Sequence, residues 1–255
     1  MNDFNRGIGA AHGRAMDMST DVGLRKFMLG VYNKLALGIA LAGILAFAAG
    51  TYAPLTRLIF GTPLLYVVQF GPIALILFSA FAMKRPSPLG SALLYWTIVS
   101  LLGLGLGVWV LAATQGIGLE SRGGRVMSPE MLTIAKAFLV TATAFGALSL
   151  FGYTTKKNLQ GIGSFLIIAL FGLIALSLLS LLFPPSGMLE TIIMGGVLLV
   201  SAGLIAYETQ HLKEGYYQFA GDERSMAVMT NWGALNFFIS FYNMFTIILS
   251  FMSSD

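Results

Sequence analysis

Ile162-Gly-Ser-Phe-Leu-Ile-Ile-Ala-Leu-Phe-Gly-Leu-Ile-Ala-Leu-Ser-Leu-Leu-Ser-Leu-Leu-Phe183 runs without a single charged residue. A helix crossing the hydrocarbon of a bilayer needs about 20 consecutive, mostly apolar residues, so this stretch reads as a membrane span. Six more runs of the same kind surround it, at 27–53, 63–83, 88–113, 131–153, 191–207 and 232–252. The punctuation between them agrees. Thr62-Pro63, Ser87-Pro88 and Ser128-Pro129 each set a capping residue before a proline at the first helical position, while Pro54 follows the first run and Pro184-Pro185 closes the fifth. Outer-membrane barrel strands alternate over about 10 residues, and these runs do not. The expected fold is an all-α integral membrane protein with seven transmembrane helices. Residues 1–26 are expected to form a mobile N-terminal tail, and 27–252 the transmembrane domain. The tail has mixed charge and no apolar core, unlike a cleavable signal peptide, so the first helix is expected to serve as its own insertion signal.

Composition gives the same answer. Apolar residues make up 56% and charged residues 10%, where a soluble domain carries about 25% charge; the mean hydropathy is +0.81. A water-soluble enzyme, a disordered chain and a nucleic-acid binder are excluded as readings, and the partner expected first is the lipid bilayer. There is no cysteine, and His12 and His211 are the only histidines. No metal site and no cofactor are expected.

Lysine and arginine placement sets the orientation. With the N-terminus in the cytoplasm, the inner segments hold Arg6, Arg14, Arg25, Lys26, Lys34, Lys84, Arg85, Lys156, Lys157, Lys213 and Arg224, against Arg57, Arg122, Arg125 and Lys136 outside. Seven spans then place the C-terminus outside.

Small residues within the runs point to close helix packing: Gly103, Gly105 and Gly107 in the third, Gly195 and Gly196 in the sixth. Polar residues are the informative ones, because an ionisable group at the bilayer centre costs roughly 2.5–3.5 kcal/mol on insertion scales. Lys34 and Lys136 lie near span ends and are expected to snorkel to the headgroups. Glu190 suits a helix N-terminus. Glu208 closes the sixth run, where a water-facing carboxylate at the interface and a functional one are both open readings. In the seventh run Asn236, Ser240 and Asn243 share one helix face, with Thr246 and Ser250 within about 120° of it. Such a stripe either makes interhelical hydrogen bonds, worth about 0.6 kcal/mol each, or lines a wet path. In both cases it should be shielded from lipid.

Enzymatic readings fail. A rhomboid-like protease needs a Gly-x-Ser-Gly serine and an intramembrane histidine, and a retinal protein needs a lysine in its last helix; the chain has neither. It is not expected to be an enzyme.

Several segments resemble a known family. Leu148-Ser149-Leu150-Phe151-Gly152-Tyr153-Thr154-Thr155-Lys156-Lys157-Asn158-Leu159, preceded by Ala137-Phe138 and Phe145-Gly146, is similar to the fourth-helix region of the Bax inhibitor-1 family in its bacterial branch. Tyr207-Glu208-Thr209-Gln210 resembles its Tyr-Asp-Thr-Gln, and Ala234-Leu235-Asn236-Phe237-Phe238-Ile239-Ser240-Phe241-Tyr242-Asn243-Met244-Phe245 resembles its Ala-Leu-Ser-Leu-Tyr-Leu-Asp-Phe-Ile-Asn-Leu-Phe. Val31-Tyr32-Asn33 and residues 86–96 also look like bacterial members. The resemblance implies six helices wrapped around a central C-terminal helix, residence in the bacterial inner membrane, and a pH-sensitive calcium leak. In that picture two aspartates share a proton and a basic residue latches one of them. Here those positions hold Glu208, Ser240 and Lys84, so the two-carboxylate trap is replaced by Glu208 beside Asn236, Ser240 and Asn243, with calcium as the permeant ion and no bound cofactor. A second implication is an interaction protein that restrains a membrane quality-control protease through its N-terminal tail. A third reading is a small-solute transporter.

The basic-residue asymmetry makes a direct prediction. A topology reporter fused after Asp255 should report outside the cytoplasm, and one inserted at 156–159 should report inside. The reverse at either site removes the seven-span, N-inside arrangement.

Overall fold

The computed structural model describes residues 22–82, 86–115, 129–180 and 187–253. The described residues form eight helices and no strand: α1 (Val22–Thr51), α2 (Ala53–Phe60), α3 (Leu64–Ala82), α4 (Pro88–Gln115), α5 (Pro129–Thr154), α6 (Gln160–Ser180), α7 (Gly187–Phe219) and α8 (Glu223–Ser253). Among the described residues six are long and apolar enough to cross a membrane; α2 and Leu64–Ser79, bent by 69° at their break, form either a broken seventh span or a re-entrant loop.

The boundaries correct the sequence reading in three places. Residues 22–26 belong to α1; the rest of the expected tail lies outside the described residues. Pro54 does not simply end the first helix, because the chain turns at Tyr52 and restarts as α2 with the proline in its first turn, where its missing N–H costs nothing. The last two spans reach well past their apolar runs. α7 continues 12 residues beyond Tyr207, and α8 begins nine residues before Trp232. An apolar run measures the part of a helix in hydrocarbon, whereas α7, at about 1.5 Å per residue, is about 50 Å long against a core of about 30 Å. The α7–α8 connection therefore projects beyond the α5–α6 loop. It turns at Gly221, which sits at φ +97°, a conformation that favours glycine. Asp222 then caps α8, its Oδ1 accepting from Arg224 N at 3.0 Å and Ser225 N at 3.3 Å. These bonds, with the Ser225 hydroxyl foremost, hold the Asp222 pKa below the usual aspartate value. The expected cap at Ser87 is present, its Oγ accepting from Gly90 N at 3.0 Å.

Half of α8's most apolar stretch is buried within the protein, against 6% for α6. Among the described residues α8 packs against α1, α4, α5 and α7, and these touch one another in the closed order α1, α4, α5, α7, α1. Among the described residues α3 packs on α4 and α2, and α6 on α7, so these two do not touch α8 directly. The core is aromatic. Phe145 of α5 meets Phe237 edge-on at 5.4 Å and Phe241 at 6.0 Å, and Phe138 meets Phe241 at 5.7 Å. Between α1 and α4 the contact is instead backbone on backbone. A Cβ placed on Gly103 would stand 2.6 Å from Ala42 Cα, and one on Gly107 the same distance from Ala49 Cβ. Gly105 points to the other side, with Val68 at 3.6 Å.

Gly103→Ala should therefore force α1 and α4 apart and cost about 1–3 kcal/mol as an overpacking change. Thermal unfolding in detergent should show a clear loss for Gly103→Ala and little change for Gly146→Ala, whose Cβ meets nothing within 4 Å.

Candidate functional site

Tyr207, Glu208, Thr209 and Gln210 follow one another on α7. At 3.6 residues per turn their side chains leave the helix about 100° apart, and each reaches a different neighbour. The Tyr207 ring lies where a side chain on Gly163 of α6 would be and stacks on His211 at 5.7 Å. Glu208 Oε1 accepts from Asn236 Nδ2 of α8 at 3.2 Å. Thr209 Oγ1 lies 3.1 Å from Ser149 Oγ of α5, which in turn bonds Tyr32 OH of α1. Gln210 grips the α5–α6 loop: its Oε1 accepts from Leu159 N at 2.7 Å and its Nε2 donates to Lys157 O at 2.8 Å.

The hydroxyl chain has a fixed direction. Thr209 donates its only proton to Ile205 O at 2.7 Å, so Ser149 donates to Thr209 and Tyr32 to Ser149. One turn further along α7, Lys213 is buried and donates to Tyr153 O at 2.7 Å, with its ammonium 5.0 Å above the Tyr153 ring. Carbonyls at a helix C-terminus carry partial negative charge, and those ending α5 receive this lysine.

A second polar knot ties α1, α4 and α8. Lys34 Nζ donates to Asn231 Oδ1, and Asn231 Nδ2 donates to Pro88 O at 3.0 Å and Ser91 Oγ at 2.8 Å. Lys34 is thus turned into the protein at this junction rather than snorkelling outward as expected. Lys136 is exposed, and so is Glu190 in the first turn of α7.

Of the residues singled out from sequence, the structure brings Glu208 and Asn236 together. Ser240 is buried, and Asn236 and Asn243 are half-buried, on the same face of α8; neither Ser240 nor Asn243 is hydrogen-bonded to Glu208. Thr246 donates into its own helix, to Tyr242 O and Asn243 O, both at 3.0 Å. Lys84 lies outside the described residues. Sequence reasoning missed Ser201, which is buried with no hydrogen-bond partner among the described residues. It precedes Glu208 by seven residues, two helical turns, and so lies on the same face of α7. The same spacing separates Asn236 from Asn243 on the antiparallel α8. Glu208, Asn236, Ser240, Ser201 and Asn243 therefore run along one α7–α8 seam. No group of three or more His, Cys, Asp or Glu side chains is placed to hold a metal among the described residues.

A family model described as inhibitor of apoptosis-promoting Bax1 matches residues 24–255. The chain belongs to the Bax inhibitor-1 family. It is 48% identical to an uncharacterised Caulobacter vibrioides protein over all of this chain and 99% of that one. It is 30% identical to an uncharacterised Rickettsia prowazekii protein over 92% of each chain. It is 29% identical to the inner membrane protein YbhL of Escherichia coli over 89% of this chain and 91% of that one. As a Bax inhibitor-1 family member it is a multi-pass helical membrane protein, and its Tyr-Glu-Thr-Gln segment is the junction of α7 with α6, α8, α5 and the α5–α6 loop.

That junction generates a prediction. Gln210→Ala leaves Leu159 N and Lys157 O without their partner, at about 1–3 kcal/mol for a buried unsatisfied group. Trypsin should then cut after Lys156 or Lys157 faster than in the wild type. Gln160→Ala, which removes only an exposed bond to Glu214, should leave the cutting rate unchanged.

Proposed function

We propose that the chain is a cation leak of the bacterial inner membrane, with calcium as the permeant ion and Glu208 as its pH-sensitive group. Its N-terminus is cytoplasmic and its C-terminus outside. The observation that supports this reading is the α7–α8 seam. It holds one carboxylate, Glu208, against an amide on the most buried helix, and it continues through Ser240, Ser201 and Asn243 toward the other end of the bundle. Calcium prefers several oxygen ligands. One carboxylate with hydroxyl and amide oxygens makes a weak resting place, suited to passage rather than storage. The protein does no covalent chemistry in this reading and needs no cofactor. The alternative, restraint of a membrane quality-control protease, rests on the N-terminal tail, most of which lies outside the described residues.

With a single carboxylate at the seam, the leak should follow one titration. His211 lies one turn along from Glu208, beside Tyr207, and needs its own control. Calcium flux into liposomes, scanned over pH, should lose its pH dependence in Glu208→Gln and keep it in His211→Gln. Ser240→Asp places a second carboxylate on the seam, and like charges held close split their titrations, so its response should become steeper or move. If Lys84 latches Glu208, as the family resemblance implies, Lys84→Ala should move the response to higher pH. A full wild-type profile in Glu208→Gln removes Glu208 as the sensor, and absence of flux at every pH favours the protease-binding alternative.

A further inference from the structure

Two cavities lie one helical turn apart at the end of the bundle opposite the Lys156–Lys157 loop. The deeper is an apolar cleft of about 470 Å³ between α1, α4, α5 and α8, lined by Gly43, Phe47, Val110, Leu139 and Phe245 among others. The shallower is a crevice formed by Gly50, Thr51, Thr56, Arg57, Leu111 and Thr114. Both are built on the same helix faces. Gly43, Phe47 and Thr51 are successive i, i+4 positions of α1, and Val110 and Thr114 are such a pair on α4. Passing from cleft to crevice is a rise of about 6 Å.

The polar chemistry of the crevice is specific. Thr51 donates to Phe47 O at 2.7 Å, Thr56 to Ala49 O at 2.7 Å and Thr114 to Leu111 O at 3.0 Å. Their protons are spent on the backbone, so each hydroxyl oxygen presents only lone pairs outward. Arg57 is exposed beside them and brings five donors and a permanent positive charge. An anion flanked by its own hydrogen-bond donors complements this arrangement. Arg57 stands on α2, the short helix bent by 69° against α3. Tyr52 and Leu58 are exposed on either side of it, the mixture of a helix lying at headgroup depth.

We propose that the two cavities together bind one phospholipid, with its phosphate on Arg57, its headgroup amine or hydroxyls on the oxygens of Thr51, Thr56 and Thr114, and one acyl chain in the apolar cleft. The site takes phosphatidylethanolamine or phosphatidylglycerol, whose headgroups carry donors. Phosphatidylcholine, with a methylated ammonium, satisfies Arg57 but leaves the three oxygens without donors.

Native mass spectrometry of the delipidated full chain, titrated with palmitoyl-oleoyl phosphatidylglycerol, phosphatidylethanolamine or phosphatidylcholine, tests this. The wild type should retain one phosphatidylglycerol or phosphatidylethanolamine molecule and hold phosphatidylcholine more weakly. Arg57→Gln should weaken retention about tenfold, as loss of a charged hydrogen bond does, and Arg57→Lys should restore part of it. Gly43→Phe projects into the cleft from a position with nothing within 4 Å, so the fold survives and the chain site is filled; retention should again fall. Unchanged melting temperatures of the lipid-free variants confirm that each is folded. Wild-type retention in either Arg57→Gln or Gly43→Phe overturns the proposal, as does equal retention of phosphatidylcholine.

Discussion

Four consecutive side chains on one turn of α7 join that helix to each of its neighbours. Between helices in a bilayer there is no hydrophobic driving force, since lipid tails are as apolar as leucine; close packing and hydrogen bonds select the neighbours. Tyr207, Glu208, Thr209 and Gln210 send one contact each to α6, to α8, to α5 with α1 behind it, and to the loop between α5 and α6. No two serve the same neighbour. Removing one therefore loosens one joint while leaving three, but displacing the turn as a whole disturbs them all. α6 depends on it most, because α7 is the only helix it touches among the described residues.

Elsewhere the bundle uses two other kinds of contact, and they divide the molecule. α1 and α4 meet backbone to backbone across Gly103 and Gly107, with Tyr95 and Val110 packed on Gly38 and Gly50 along the same seam. α5 and α8 meet through phenylalanine rings in edge-on pairs, which tolerate small sliding motions. The Lys34–Asn231–Ser91 knot pins α8 to the α1–α4 seam near its start, while Glu208–Asn236 ties it to α7 further along. α8 is thus fastened on two sides by polar bonds. Any movement that opens the α7–α8 seam must separate Glu208 from Asn236 while the Asn231 side holds.

The spans were readable from sequence because hydrocarbon thickness imposes a length that no other context demands. The capping serine before Pro88 and the packing use of Gly103 and Gly107 were readable for similarly local reasons. The stripe on α8 is readable as one face, since Asn236, Ser240 and Asn243 follow helical spacing. Other features were hidden by what a pattern omits. The ends of α7 and α8 lie past the apolar runs, so hydropathy was silent about them, and Pro54 can both stop one helix and start the next. Snorkelling is the default expectation for a lysine near a span end, and only the structure shows Asn231 across from Lys34. Ser201 looked like an ordinary small residue; its significance comes from burial and from the missing partner. Gln210 carried a faint signal, as the last of four polar or aromatic residues in a row, a sequence that no single lipid-facing or water-facing side of a helix can accommodate.

At the α7–α8 crossing Glu208 meets an amide, Asn236, rather than a second carboxylate, and this sets what a proton can do there. Two carboxylates need a shared proton to stay in contact; once it leaves, they repel. Glu208 and Asn236 are complementary either way. When ionised, Glu208 accepts from the Asn236 NH2 group, as its Oε1 does here. When protonated, it can still accept on one oxygen and donate from the other, and the amide offers both a donor and an acceptor to match. Titration of Glu208 therefore alters the charge on the seam more than the contact between the helices. Under the proposed leak, its second oxygen, which the Asn236 bond at Oε1 does not use, is where that charge would meet a passing cation. In the proposed leak, a pH effect would then work on the electrostatics of passage, with α7 and α8 still joined, whereas a carboxylate pair would couple the same proton to helix separation.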